Sequence, residues 1–261
     1  MERFASNKFR INSVEEFISI LQLNPIDDDE FRLFRGHKDA SWQLVSRLYR
    51  EVKDADLEQS FYEIEQRLFE RFKKKLDILK KDTSSDTEVL SYAQHYGLPT
   101  RLLDWSANPL VALWFAFSEI AMGNFDRVVQ TIRIQKWDLK RVEDENIFNT
   151  RVARFINPRN HFKDDRIKNQ EGWFSNQDLN IIPIGKERSG DGLPHFGRSG
   201  TIEEDDYFNW KITKFYFSNS LRKSILESLE EKGITREFIF PDFSKICEEI
   251  KDEVYSQFWI L

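Results

Sequence analysis

The densest group of side chains able to do chemistry lies in YAQHYGLPTRLLDWSANPLVALWFAF, residues 92–117. It places Tyr92, His95, Tyr96, Arg101, Asp104 and Trp105 just ahead of a strongly apolar run. Polar groups beside such a run must find partners, because burying them unpaired is costly. Arg101 and Asp104 are three residues apart and can pair with each other. Alternatively, Asp104 can meet Arg35 from an earlier segment. Read structurally, the group is a buried network that fixes a turn. Read functionally, it is the floor of a ligand pocket walled by Tyr92, His95 and Trp105. A second candidate is Phe34-Arg35-Gly36-His37, followed by Trp42, Ser46, Leu48 and Arg50. A guanidinium there can grip phosphate or carboxylate with two parallel hydrogen bonds. Gly36 permits a close backbone approach.

Other chemistries lack their residues. The chain has no GxxxxGK[ST] loop, no GxGxxG after a strand and no HExxH. His37, His95, His161 and His195 are widely scattered, so no metal site is expected. The acidic run Glu203-Glu204-Asp205-Asp206 reads as a solvated loop. Arg151, Arg154, Arg159, Lys163, Arg166 and Lys168, interleaved with Phe155, His161 and Phe162, form the best basic-aromatic patch for nucleic acid. The net charge of −6 favours a solvated surface instead. Cys247 is the single cysteine, so an internal disulfide and a cysteine zinc site are both excluded. Its spacing in SKICEEI suits a buried thiol.

These residues need elements to hold them. Ser13 and Glu16 form a capping box for a helix carrying Phe17, Ile18, Ile20 and Leu21. FRLFRGH, residues 31–37, reads as a strand. Residues 56–80 follow helical spacing through Leu57, Phe61, Ile64, Leu68, Phe72 and Leu76. Another helix, 86–96, stops at Gly97. Asn108 then Pro109 gives the N-cap and first-turn pattern of a helix over 109–121, apolar nearly all round and therefore expected to be central and buried. RVVQTIRIQ, 127–135, and KITKFYF, 211–217, read as strands. Ser218 or Ser220 caps a helix through 232 that ends at Gly233. A last element starts at Ser244, and residues 162–204 read as loops around short strands.

At 261 residues the chain is one large domain or two small ones. It is 40% hydrophobic, 14% aromatic and 32% charged, which excludes a disordered acidic tail. No apolar run reaches the ~18 residues of a transmembrane helix, so no membrane association is expected. The start MERFASNKFRIN lacks the apolar core of a secretory signal, and a cytoplasmic location is expected. Strands and helices mix without regular βαβ alternation, which predicts an α+β fold: a small sheet packed on the central apolar helix, with peripheral helices.

Phe34-Arg35-Gly36, then Trp42-Gln43-Leu44 with Ser46 and Arg50, then QHYGLPTRLLDWSANPLVALWFAF, resemble the FRG domain family of bacteria and phages. Arg166-Ile167-x-x-Gln170-x-Gly172-x-Phe174 and Phe240-Pro241-Asp242 continue the likeness. It runs over about residues 30–245, implying one FRG-type domain across 1–261. His37 stands where the family commonly has glutamine. The family resembles components of mobile elements, phage defence and toxin systems.

The Arg-Gly at a strand end and the later aromatic-rich helix are also similar to the ADP-ribosyltransferase group. In that group an arginine or histidine before glycine holds NAD, an aromatic ring stacks on nicotinamide and a late glutamate completes the site. Its aromatic string lies on a strand, whereas here the string reads as a helix. The resemblance implies NAD as co-substrate for ADP-ribosyl transfer or NAD hydrolysis, without a metal. Arg35 would clamp the anion and Glu171 would be the carboxylate, with Glu119, Glu203 and Glu204 as other candidates. Gly36, Tyr92, His95, Tyr96, Arg101, Asp104 and Trp105 would line the NAD site, Tyr92 or Tyr96 stacking on the ring. An acceptor or regulator, protein or nucleic acid, would be the partner; oligomeric state is left open. The rival reading is a non-enzymatic binding module. A concave site shared by Arg35 and a distant carboxylate favours the enzyme; Arg35 fully buried on Asp104 favours the module.

Overall fold

Seven strands form one sheet on which the helices pack in a computed structural model. It describes residues 8–52, 58–78, 85–120, 123, 125–135, 147–148, 154–157, 165–176 and 212–241. The strands are β1 (Lys8–Ile11), β2 (Glu30–His37), β3 (Leu102–Ser106), β4 (Arg127–Gln135), β5 (Arg154–Ile156), β6 (Gly172–Asn176) and β7 (Ile212–Phe217). Their order is β1-β7-β4-β2-β3-β6-β5, antiparallel throughout except for β1 beside β7. The helices are α1 (Val14–Leu23), α2 (Arg47–Val52), α3 (Glu58–Ile78), α4 (Asp86–His95), α5 (Pro109–Phe117), α6 (Asp165–Asn169), α7 (Arg222–Glu231) and α8 (Arg236–Ile239). The fold is α+β, and the sheet is larger than the small one expected.

Side-chain oxygens start the principal helices. Ser13 accepts from Glu16 N–H, Ser85 from Glu88 N–H and Asn108 from Leu110 N–H. Gly97, at φ +89°, ends α4 with its N–H on the Gln94 carbonyl, while Leu98 N–H bonds the Ala93 carbonyl. Ser218 caps a short 3₁₀ turn, Asn219–Leu221, rather than α7 itself.

Strand alternation sends Leu33 and Phe34 to opposite faces. Phe34, Val129, Phe215 and Phe217 meet α1, α5 and α7 in one core, with Val14, Phe17, Ala112, Ala116, Phe117 and Leu229. Leu33, Leu103, Trp105, Ile132, Ile134 and Trp173 form another with Leu44. A third joins Phe69 and Leu76 of α3 and Leu90 of α4 to Leu102, Phe148 and Phe174.

Two expectations about the apolar helix change. In α5, Val111, Ala112, Leu113, Ala116 and Phe117 are buried, while Leu110, Trp114 and Phe115 are only partly so. The three consecutive buried residues Val111, Ala112 and Leu113 take up more than half of the helix circumference, so α5 is buried on most sides but not all round. It also ends at Phe117, not near residue 121. Two arginines occupy its last carbonyls: Arg127 donates to those of Ala116 and Glu119, Arg222 to those of Phe117 and Ser118. Cations at these orphan acceptors also complement the helix dipole.

The segment between α4 and α5, expected to be a turn, contains β3. Both of its faces are covered, so it shows no alternation of apolar and polar residues; Leu102, Leu103, Trp105 and Ser106 are all buried. Cys247, the acidic run 203–206, the element from Ser244, His161, His195 and most of the basic-aromatic patch lie outside the described residues.

Candidate functional site

β2 is laddered to β4 from Glu30↔Gln135 to His37↔Val128, but to β3 only through Phe34↔Ser106. Beyond that rung a side chain spans the gap: Arg35 Nη1 donates to the Asp104 carbonyl at 2.6 Å. A cleft of about 750 Å³ opens at this place.

Arg35 is held from two sides. Its Nε donates to His37 Nε2 at 2.9 Å, and its Nη1 lies 3.8 Å from Asp104 Oδ2. Its side chain keeps 18% exposure, against 63% for Asp104. Burial lowers the Arg35 pKa, the Asp104 charge raises it and Arg50 lowers it further. His37 is buried, and desolvation together with the Arg35 and Arg50 charges brings its pKa down to about 3. The imidazole is therefore neutral at physiological pH. Gln94 Nε2 donates to Asp104 Oδ1 while its Oε1 accepts from Thr100 Oγ1, which fixes the carboxylate.

The remaining walls carry charge and aromatic surface. Lys38, Arg50 and Arg166 join Arg35, giving the lining four cations against the two carboxylates Asp104 and Glu119 among the described residues. Glu119 is ion-paired with Lys38. Trp42 lines the cleft with nearly half its surface exposed, its ring centroid 6.0 Å from that of His37. Arg50 is braced by Nη1 on the Val45 carbonyl at 2.8 Å, and Arg166 stacks on Phe240 at 4.5 Å.

Three stretches far apart in the chain converge here: Arg35 with Trp42 and Arg50, then His95 with Asp104 and Trp105, then Arg166 with Gln170 and Phe174. Short bonds lock the third to the second. Ser106 Oγ donates to the Gln170 carbonyl at 2.6 Å, and Trp105 Nε1 to Ser175 Oγ at 2.9 Å.

Of the residues singled out from sequence, Arg35, Gly36, His95, Asp104 and Trp105 line the cleft. Gly36 is needed for another reason as well. A Cβ there would lie 1.9 Å from the Ala112 carbonyl oxygen and 2.7 Å from Ala116 N, so its close approach is to α5. Arg101 does not pair with Asp104 and does not line the cleft. It forms a two-pronged ion pair with Glu65 of α3, both side chains 2% exposed, and donates to the Ile147 carbonyl. Tyr92, Tyr96 and Glu171 are not among the lining residues. Tyr96 points to solvent. Glu171, at φ +46°, accepts through Oε1 from Asn108 Nδ2 at 3.3 Å, supporting the residue that caps α5.

His37, Trp42 and Arg50 stand in the second candidate segment, Gln94 in the first and Arg166 and Gln170 in the family likeness, but the sequence assigned none of them a role in the site. A helical signal was available for α4. If His95 faces the cleft, Ser91 four residues back shares its face, and Tyr96, one residue on, is displaced; Tyr92, three residues back, is a neighbour of His95 by the same rule, yet the lining runs through Ser91, Gln94 and His95 without it. Ser91 does line the cleft. The comparable signal for His37 was the strand period of two, which puts it on the same face as Arg35.

Among the described residues no group of His, Cys, Asp and Glu is placed to hold a metal ion, and no helix is long and apolar enough to cross a membrane. The FRG domain matches residues 31–124, which covers the first two of the converging stretches; the third lies beyond it. No curated protein and no solved structure matches the chain.

Proposed function

We propose that this chain, which carries an FRG domain over residues 31–124, binds NAD in the cleft between β2 and β3 and cleaves its nicotinamide–ribose bond. The carrying observation is the convergence of Arg35, Arg50 and Arg166 from three separated stretches on one concave, partly aromatic wall. Such a lining suits a ligand with both phosphate charge and planar rings. Arg35 keeps access to a cleft that also holds the Asp104 carboxylate, which supports the enzyme over the binding module.

The residues present fit the dinucleotide. Arg35, Arg50 and Arg166 would hold the pyrophosphate. Trp42, rather than Tyr92 or Tyr96, offers the exposed ring for stacking. Asp104, fixed by Gln94, is the carboxylate best placed to face positive charge at the ribose, ahead of Glu171 with its bond to Asn108. In the reaction the glycosidic bond sends its electron pair to the nicotinamide nitrogen, which leaves neutral. Water or an acceptor adds at the ribose carbon and loses a proton. Transfer to an acceptor rests on the resemblance to the ADP-ribosyltransferase group, and a role in toxin or phage-defence systems on the likeness to the FRG family.

The test is nicotinamide release from NAD by wild type, Arg35→Ala, Arg166→Ala and Asp104→Asn. Release should fall at least ~100-fold for Arg35→Ala and Asp104→Asn, with folding retained. Absence of binding and release by folded wild type at millimolar NAD overturns the reading and favours the binding module.

A further inference from the structure

We propose that His37 is a positioning residue, a neutral acceptor that fixes the Arg35 guanidinium without cancelling its charge. The inference rests on reading the cleft as an anion site. Arg35 and His37 are two residues apart on β2 and so share a face. Because Arg35 donates to Nε2, the single proton of the neutral ring sits on Nδ1. There it faces the Trp42 backbone as acceptor; Gln130 Nε2 of β4, 3.4 Å from Nδ1, is itself a donor and makes no bond to the ring in this tautomer. The imidazole is thus held at both nitrogens.

The second support of Arg35, the Asp104 carbonyl, is also uncharged. Nε and one hydrogen of Nη1 are used, and Arg35 Nη2 has no hydrogen-bond partner among the described residues. This leaves one edge of the fork for two oxygens of an anion. A carboxylate in place of His37 would hold the guanidinium equally well but would compete with the ligand for its charge. A charged imidazole would lose the lone pair that accepts from Arg35 and would repel the cation. The groups that keep the ring neutral are burial, Arg35, Arg50 and, from β7, Lys214.

The experiment titrates the full chain with inorganic pyrophosphate by calorimetry and measures NAD turnover in parallel, for wild type, His37→Gln and His37→Leu. Loss of the acceptor should weaken pyrophosphate binding about tenfold or more in His37→Leu, the scale of one hydrogen bond to a charged group. KM for NAD should rise more than kcat falls. Glutamine keeps an acceptor oxygen and should restore binding to within about threefold. Wild-type affinity in His37→Leu overturns the inference. So does a His37→Gln variant that melts like wild type yet binds as poorly as His37→Leu. If His37→Leu does not fold, His37→Asn takes its place: its shorter acceptor must also lose affinity, and wild-type affinity there overturns the inference. Wild type that binds pyrophosphate but releases no nicotinamide sinks the NAD reading alone. Wild type that does not bind pyrophosphate overturns the role given to His37.

Discussion

Two arginines separate the parts of this molecule that hold it together from the part that can act. Arg101 and Arg35 are both largely enclosed and both reach across elements. Arg101 meets Glu65, opposite in charge and equally buried, and its ring neighbour is Phe148 at 5.3 Å. Its charge is cancelled where it stands. Arg35 is supported by an imidazole and a peptide carbonyl, while the nearest carboxylate is solvated and 3.8 Å away. Its charge is oriented and still available. A guanidinium held by neutral acceptors is thus a better sign of a binding site than burial or a short ion pair.

The comparison can be broken most severely at Arg101. Arg101→Ala leaves Glu65 buried without its partner and should cost about 3–5 kcal/mol of stability. Arg35→Ala removes two hydrogen bonds and a solvent-screened ion pair with Asp104 but leaves no buried charge unpaired, and should cost less, about 1–3 kcal/mol. Denaturant unfolding of the two variants decides it; equal losses would erase the distinction. Gly36→Ala comes next. Its methyl group must push the α5 backbone off β2, which should destabilise by about 1–3 kcal/mol and disturb the Arg35 side of the cleft. Trp42→Ala should weaken NAD binding by about 1–3 kcal/mol, the scale of one stacked ring, and leave pyrophosphate affinity unchanged.

A smaller effect sharpens the Arg35 side through pH. The folded-state pKa of His37 lies near 3, below its unfolded value near 6.5. Between these values the unfolded chain binds the extra proton, so the stability owed to His37 is present above about pH 6.5 and lost as pH falls towards 3. Wild type should lose about 1.4 kcal/mol per pH unit relative to His37→Gln around pH 5. Parallel curves would contradict the buried neutral ring. The smallest change belongs to the exposed pair Arg10–Asp126, where Arg10→Ala should alter stability by less than about 1 kcal/mol.

Much of the fold was legible because it is written locally. Ser13, Ser85 and Asn108 announce helices through bonds within three residues, and β2, β4 and β7 show apolar strand patterns. β3 and β6 were hidden because packing on both faces removes the period of two. The end of α5 was hidden because Arg127 and Arg222, distant in sequence, terminate it. The site divides in the same way. Arg35 and Asp104 were found as candidates, and their proximity was one of two pairings left open. Arg101 was placed with them because nothing near it in sequence points to Glu65, 36 residues earlier in α3. The aromatic partner was misjudged because helical spacing alone does not choose between Tyr92 and the other neighbours of His95: the cleft takes Ser91 and Gln94 beside His95, and its exposed ring, Trp42, comes from a different stretch.

The lone rung between Phe34 and Ser106 divides the sheet into a four-strand block and a three-strand block along a seam. Elsewhere the backbone stitches neighbouring strands to one another; here a guanidinium on a carbonyl carries much of that task. A molecule lodged at the seam, touching Arg35 on one bank and Asp104 on the other, would supply the cross-ties that the main chain withholds. The concavity and the weakest stitching of the sheet are one and the same feature, so whatever fills the opening also becomes part of the scaffold.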